Sequence, residues 1–264
     1  MKSLKIIVFI ILNIISVIAF AQKLPTEQQV SLRVPANIKV DGKAIEWNNT
    51  FQAYNKHVDF YYTMANDDNK LYLAIQATEP AIIRRIINGG VTLTINTSGK
   101  KYNKNGMCIT YPVFEKNNRF SPMLKNTGII RMTGVSRPEI STESMMLMDN
   151  TGISAKAKFI KTAGIKDIDT LISIYNADGI KAASQFDDKL AYTYELSVDL
   201  KKLGLSVNDS DKFSYQLMVN ETIGQGINVK KDDSGNITSV SVTKGAIAPQ
   251  APTDFWAEYT LARK

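Results

Sequence analysis

Cysteine and histidine are nearly missing from this chain: one of each occurs in 264 residues. A lone Cys108 excludes an internal disulfide framework and any cysteine-built zinc site. It lies between Met107 and Ile109 on an apolar stretch, where a buried, inert thiol is expected. A lone His57 excludes a multi-histidine metal centre and leaves one imidazole for acid–base chemistry. Long apolar runs are lacking too. The longest, Ile6 to Ile18, is broken by Asn13 and Ser16 and spans about 13 residues, short of the roughly 20 that a membrane-crossing helix needs. G-x-S-x-G, H-E-x-x-H and Walker A motifs are absent, and Gly224-Gln225-Gly226 lacks the third glycine and following helix of a dinucleotide loop.

What is present begins with an export pattern. Lys2 and Lys5 precede the apolar run, and Ala19-Phe20-Ala21 supplies the small residues of a cleavage site. Residues 1–21 are therefore read as a signal peptide cleaved after Ala21, giving a periplasmic or secreted protein. No Cys follows the site, so a lipoprotein is not indicated. Cleavage takes the net charge from +7 to +5 and leaves no second membrane segment. The remaining lysines are dispersed, for example Lys100, Lys101 and Lys104 in one stretch and Lys230 and Lys231 in another. No nucleic-acid footprint is expected from that spread. The excess charge confers solubility and a weak attraction to acidic polymers or lipid headgroups.

Alternation of period two dominates residues 22–264. Val58, Phe60, Tyr62 and Met64 alternate with Asp59, Tyr61 and Thr63, and after Asn66-Asp67-Asp68-Asn69 the pattern resumes in Leu71, Leu73 and Ile75. That is a hairpin whose turn is built from residues that tolerate left-handed backbone. Further strands are predicted at 91–96, 107–113, 129–133, 145–148, 153–160, 190–198, 213–219 and 255–261. A hairpin is predicted from 170–175 and 180–184 across Asn176-Ala177-Asp178-Gly179. One short helix is predicted over Pro80–Asn88, with Pro at its first turn and Gly89-Gly90 as its stop. Many strands without βαβ alternation predict an all-β, antiparallel sandwich of the jelly-roll kind in a single domain. The Gly- and Pro-bearing segment 224–253 is read as an irregular insertion, with room for a small hairpin across Asp233-Ser234-Gly235-Asn236.

The stretch Val40-Asp41-Gly42-Lys43-Ala44-Ile45-Glu46-Trp47 resembles the opening of family 9 carbohydrate-binding modules, which are DOMON-like sandwiches. Asn66-Asp67-Asp68-Asn69-Lys70-Leu71-Tyr72-Leu73 is similar to their following hairpin. Glu195-Leu196-Ser197-Val198-Asp199-Leu200 and Phe255-Trp256-Ala257-Glu258-Tyr259 are similar to their closing strands. Residues 90–112 also resemble bacterial envelope proteins that share this sandwich. The resemblance implies that Asp41 and Gly42 make a turn, that Trp47 is a core wedge, and that exposed aromatics stack on a sugar. Trp256, Tyr61 and Tyr72 are the candidates for that stacking, because sugar C–H faces pack on π surfaces. Parity leaves open which face of the last strand is core.

The reading is a non-catalytic exported module that binds a glycan or acts as an accessory domain at the bacterial envelope. The alternative is a structural or protein-interaction module without sugar binding. DOMON-like relatives also include haem carriers held by Met with His or Lys. This chain offers Met64, Met107, Met132, Met145, Met146, Met148 and Met218 with His57 as its one imidazole, but methionine at strand spacing is read as core filler. Asp67-Asp68 and Asp187-Asp188 offer oxygens to Ca²⁺ without the spacing of a dedicated loop. Glu195 and Glu221 have outward parity, but nothing in the sequence pairs them as a glycosidase would require. No catalytic residue, metal site or cofactor is assigned.

Overall fold

The structure, a computed structural model, describes residues 23–101, 106–115, 118–124, 140–209, 211–222, 225–244 and 250–264. A five-stranded sheet is assembled in the order β1 (Ala53–Asn55), β2 (Phe60–Asn66), β3 (Lys70–Ala77), β9 (Tyr192–Asp199) and β8 (Ile180–Phe186). A six-stranded sheet runs β13 (Thr253–Tyr259), β10 (Phe213–Val219), β4 (Val91–Asn96), β5 (Met107–Val113), β6 (Phe159–Ala163) and β7 (Leu171–Ser173). All these pairings are antiparallel. The expected sandwich is therefore the observed one.

The alternating apolar residues meet between the sheets. Tyr62, Met64, Leu73, Ile75, Tyr194 and Leu196 from one sheet share a core with Leu93, Ile109, Tyr215 and Leu217 from the other. Each such side chain, fully removed from water, contributes roughly 1.5–3 kcal/mol. Tyr111 stacks on Tyr194 across the interface at 5.4 Å between ring centroids. The hydroxyls of Tyr62 and Tyr215 join by a 3.1 Å hydrogen bond. Helix α1 (Pro80–Gly89) buries Ile82, Ile83, Ile86 and Ile87 in the same core. Their i, i+3, i+4 spacing forms one apolar stripe, and Gly90 at φ +75° ends the helix.

Three expectations are corrected. Residues 145–148 and the start of 153–160 are not strand but a second helix, α2 (Thr142–Lys156). The Ser141 hydroxyl caps it by accepting from the Ser144 N–H. Met145, Asp149 and Ile153 recur at four-residue intervals on its buried face, while Leu147 and Met148 are exposed. The run of four apolar residues gave the wrong period. Segments 170–175 and 180–184 do not form a hairpin either. β7 belongs to the six-stranded sheet and β8 to the five-stranded one, so the Asn176–Gly179 turn carries the chain between layers. The expectation of one helix accordingly gives way to two, with a 3-10 turn at Leu200–Leu203.

The 224–253 segment contains β11 (Gln225–Lys231) and β12 (Ile237–Lys244), which pair with each other around Asp232–Asn236. The strand predicted at 129–133 lies outside the described residues.

Candidate functional site

Each sheet has an outward face, and the two are finished differently. On the five-stranded sheet that face carries Tyr61, Thr63 and Ala65 on β2, Tyr72 and Ala74 on β3, and Glu195 on β9. Residues 32–51 lie over it. Trp47, Phe51 and Ala44 pack with Ala65, Tyr72 and Ala74 as a second, smaller core, edged by Leu32, Val34, Ile38, Val40 and Tyr61.

Glu195 anchors this cover. Its Oε1 accepts from Trp47 Nε1 at 2.7 Å, and its Oε2 accepts from the backbone N–H groups of Gly42 at 2.8 Å and Asp41 at 3.0 Å. Burial pushes its carboxyl up to about 7, against the pull of those three donors. Gly42 sits at φ +87°, and a Cβ there would lie 2.5 Å from the Ser184 backbone, so only glycine fits. Asp41 completes the contact by accepting from Gln185 Nε2 through its carbonyl at 3.0 Å. Asp41, Gly42, Trp47 and Glu195 thus form one structural unit. Glu195 does have outward parity, but the cover removes it from solvent, and Glu221 is exposed elsewhere.

The aromatic candidates separate. Tyr72 is 7% exposed under the cover and donates its hydroxyl to Asp67 Oδ2, so it offers no ring face to a ligand; its assignment as a sugar platform is corrected. Tyr61 is half-buried, packed 4.8 Å from Tyr54 and 6.2 Å from Phe51, beside a depression of about 770 Å³ that also meets Gln76 and Asp187. Trp256 is on the other sheet, so the structure does not bring the three together.

On the six-stranded sheet no second apolar core lies on the outward face among the described residues, although Thr92 and Thr94 on it are buried. Phe255, Ala257 and Tyr259 of β13 point into the core, which resolves the parity left open by sequence and puts Trp256 outward. Strand register extends a row from Trp256 through Gln216, Thr94 and Cys108 to Ala163. The neighbouring row runs Asp254, Met218, Thr92, Thr110 and Lys161. The polar members are linked: Gln216 Nε2 donates to Asp254 Oδ2 at 2.6 Å, and Thr94 Oγ1 donates to Gln216 Oε1 at 3.3 Å. Trp256 also borders a depression of about 470 Å³ with Glu27, Asn55, Lys56 and His57.

Further along the face, a groove of about 470 Å³ opens between the end of α1, β4, β5, β6, residues 112–114 and residues 119–120. Its floor includes Thr92, Thr110 and Asn220, and its rim carries Arg119 and Lys161. Sequence reading passed over these residues. Their only signal was threonine at alternate positions of β4, Thr92 and Thr94, which marks a polar outward face without saying what it meets.

His57 is exposed and Met64 is enclosed in the core. Among the described residues no group of three or more His, Cys, Asp or Glu is placed to hold a metal ion. None of their helices is long and apolar enough to cross a membrane.

No protein-family model matches the chain, and no curated protein does. Among solved structures it is similar to a family 9 carbohydrate-binding module from Caldicellulosiruptor kristjanssonii, determined in complex with glucose. That match has a TM-score of 0.34 and 12% identity, over 81% of this chain and 84% of the other. The description of the fold as a two-sheet sandwich rests on this chain's own strand order.

Proposed function

We propose that this chain is an exported, non-catalytic module that binds a glycan on the outward face of its six-stranded sheet, with Trp256 as the stacking platform. The observation that carries the reading is the outward position of Trp256 in register with hydrogen-bonding side chains. An indole offers an apolar face to sugar C–H groups, and Gln216 and Asp254 beside it offer polar atoms to hydroxyls. The export part of the proposal rests on the pattern in residues 1–21.

The test is titration of the purified chain with soluble oligosaccharides, followed by tryptophan fluorescence. Trp47 and Trp256 are the two tryptophans, and Trp47 is enclosed, so a ligand-induced change reports on Trp256. Trp256→Ala is expected to weaken binding by about tenfold or more while leaving thermal unfolding within a few degrees of the parent. Equal affinity in parent and variant would refute the platform. The second reading, an interaction module without sugar binding, is supported by the β11–β12 hairpin, whose strands pair with no other strand among the described residues.

A further inference from the structure

The groove between α1 and β6 is floored by hydrogen-bonding side chains. Asn220 Nδ2 donates both its hydrogens, to the carbonyls of Gly89 at 2.8 Å and Gly90 at 3.1 Å, at the end of α1. Its amide orientation is thereby set, and Oδ1 faces Thr92. Thr92 has one hydroxyl hydrogen and gives it to that Oδ1 at 3.0 Å. The 2.7 Å contact between Thr92 and Thr110 must then be donated by Thr110. Every hydrogen of this floor network is used within the protein. Among the described residues, Thr110 Oγ1 and Asn220 Oδ1 keep acceptor lone pairs beyond these bonds.

The rim has the opposite character. Arg119 and Lys161 line the groove, and among the described residues neither forms an ion pair and no Asp or Glu joins the lining. Lys156 reinforces this end, its Nζ reaching the Arg119 carbonyl at 3.1 Å. In a chain with 25 acidic residues, a concave site whose charged lining among the described residues is cationic is a positive focus.

A ligand that suits both parts brings hydroxyl donors to the floor and an anion to the rim. We infer that the groove binds an acidic oligosaccharide, a uronate-bearing chain whose carboxylate meets Arg119 and Lys161 while its hydroxyls donate to Thr110 and Asn220. This rests on the glycan reading above and specifies its substrate class. From β13 to β6 is four strand spacings, roughly 19 Å, so a chain stacked on Trp256 and anchored at Lys161 is an oligosaccharide rather than a monosaccharide.

The experiment is calorimetric titration of the full chain with tetragalacturonate, with the matching uncharged galactose tetramer, and with short polyglutamate. Tetragalacturonate is expected to bind at least about tenfold more tightly than the neutral tetramer, and to weaken in high salt. Arg119→Gln and Lys161→Gln are expected to shrink that advantage, costing tetragalacturonate several-fold more affinity than the neutral tetramer. Thr110→Val, which keeps shape and loses the acceptor, is expected to weaken both sugars. Equal affinity for the two tetramers overturns the acidic assignment and leaves the glycan reading standing. Binding of neither sinks both. Polyglutamate binding as tightly as tetragalacturonate reduces the groove to a charge patch and overturns the inference.

Discussion

Glu195 is an acid on an outward strand position that is only 2% exposed, and its surroundings explain both facts. Three N–H donors satisfy its oxygens, so enclosure does not leave it orphaned. Burial raises its pKa in the fold to about 7, from the 4.5 of an unperturbed glutamate. Between those values the folded chain keeps a proton that the unfolded chain has released. The stabilisation tied to this group is therefore complete below about pH 4.5 and is lost as pH rises through about 7, on the order of 3 kcal/mol in all. Asp149 is raised by burial too and slopes in the same direction, so the comparison must be made against a variant. Glu195→Gln turns an amide N–H₂ toward either the indole or the Gly42 N–H, setting donor against donor. Urea unfolding is expected to show a loss of about 1–3 kcal/mol near pH 5 and a flatter pH profile than the parent. An unchanged profile in the variant would mean that other groups carry the dependence.

At the scale of elements, α2 shows how one clamp places a helix. Asn150 Oδ1 accepts from the Phe186 N–H at 2.7 Å, and its Nδ2 donates to the Phe186 carbonyl at 2.9 Å. This mimics a strand neighbour at the end of β8, and α2 packs against that strand. Asp149 reaches the other way, accepting from the Met123 N–H at 2.9 Å. Asn150→Ala is expected to cost about 2 kcal/mol, because a backbone donor and acceptor lose their partners together. Hydrogen exchange should show α2 exchanging faster while β9 and β10 keep their protection; uniform loss across the fold would contradict a local clamp. The misreading of 145–148 has the same origin. Apolar residues in direct succession fit a buried strand as well as one turn of helix, and the deciding features, a Ser141 cap and contacts to β8, lie outside the run.

At the scale of the molecule, the sandwich is completed by chain that is not itself sheet. Residues 32–51 supply the second core, and Gln28 ties the segment down further, donating to and accepting from the Met64 backbone at 2.8 and 2.7 Å. Removing residues 23–52 would expose Glu195 together with the apolar outer face of β2 and β3. That deletion is expected to abolish cooperative thermal unfolding. Replacing 225–244 by a short Gly-Ser linker is expected to shift the midpoint by only a few degrees, since among the described residues β11 and β12 pair only with each other. A reversal of those two outcomes would mean that the division of labour described here is wrong.

Most strands were legible because their information is local: alternation at Phe60–Met64 or Phe213–Val219 names a face, and Asn or Asp clusters name the turn between. Which sheet a strand joins is not local, and so β7 and β8 were read as partners although they sit in opposite layers. The candidate site was legible only in Trp256. Sequence alone determined that this chain builds an antiparallel sandwich, since many strands of two-residue period with few amphipathic helices leave one sheet's apolar face to be buried mainly against another's. The tertiary structure alone decided that Glu195 and Tyr72 are sealed while Trp256 and Thr110 are half-buried and Lys161 is exposed. All five point outward from their sheets, and what covers an outward face is set by segments distant in the chain.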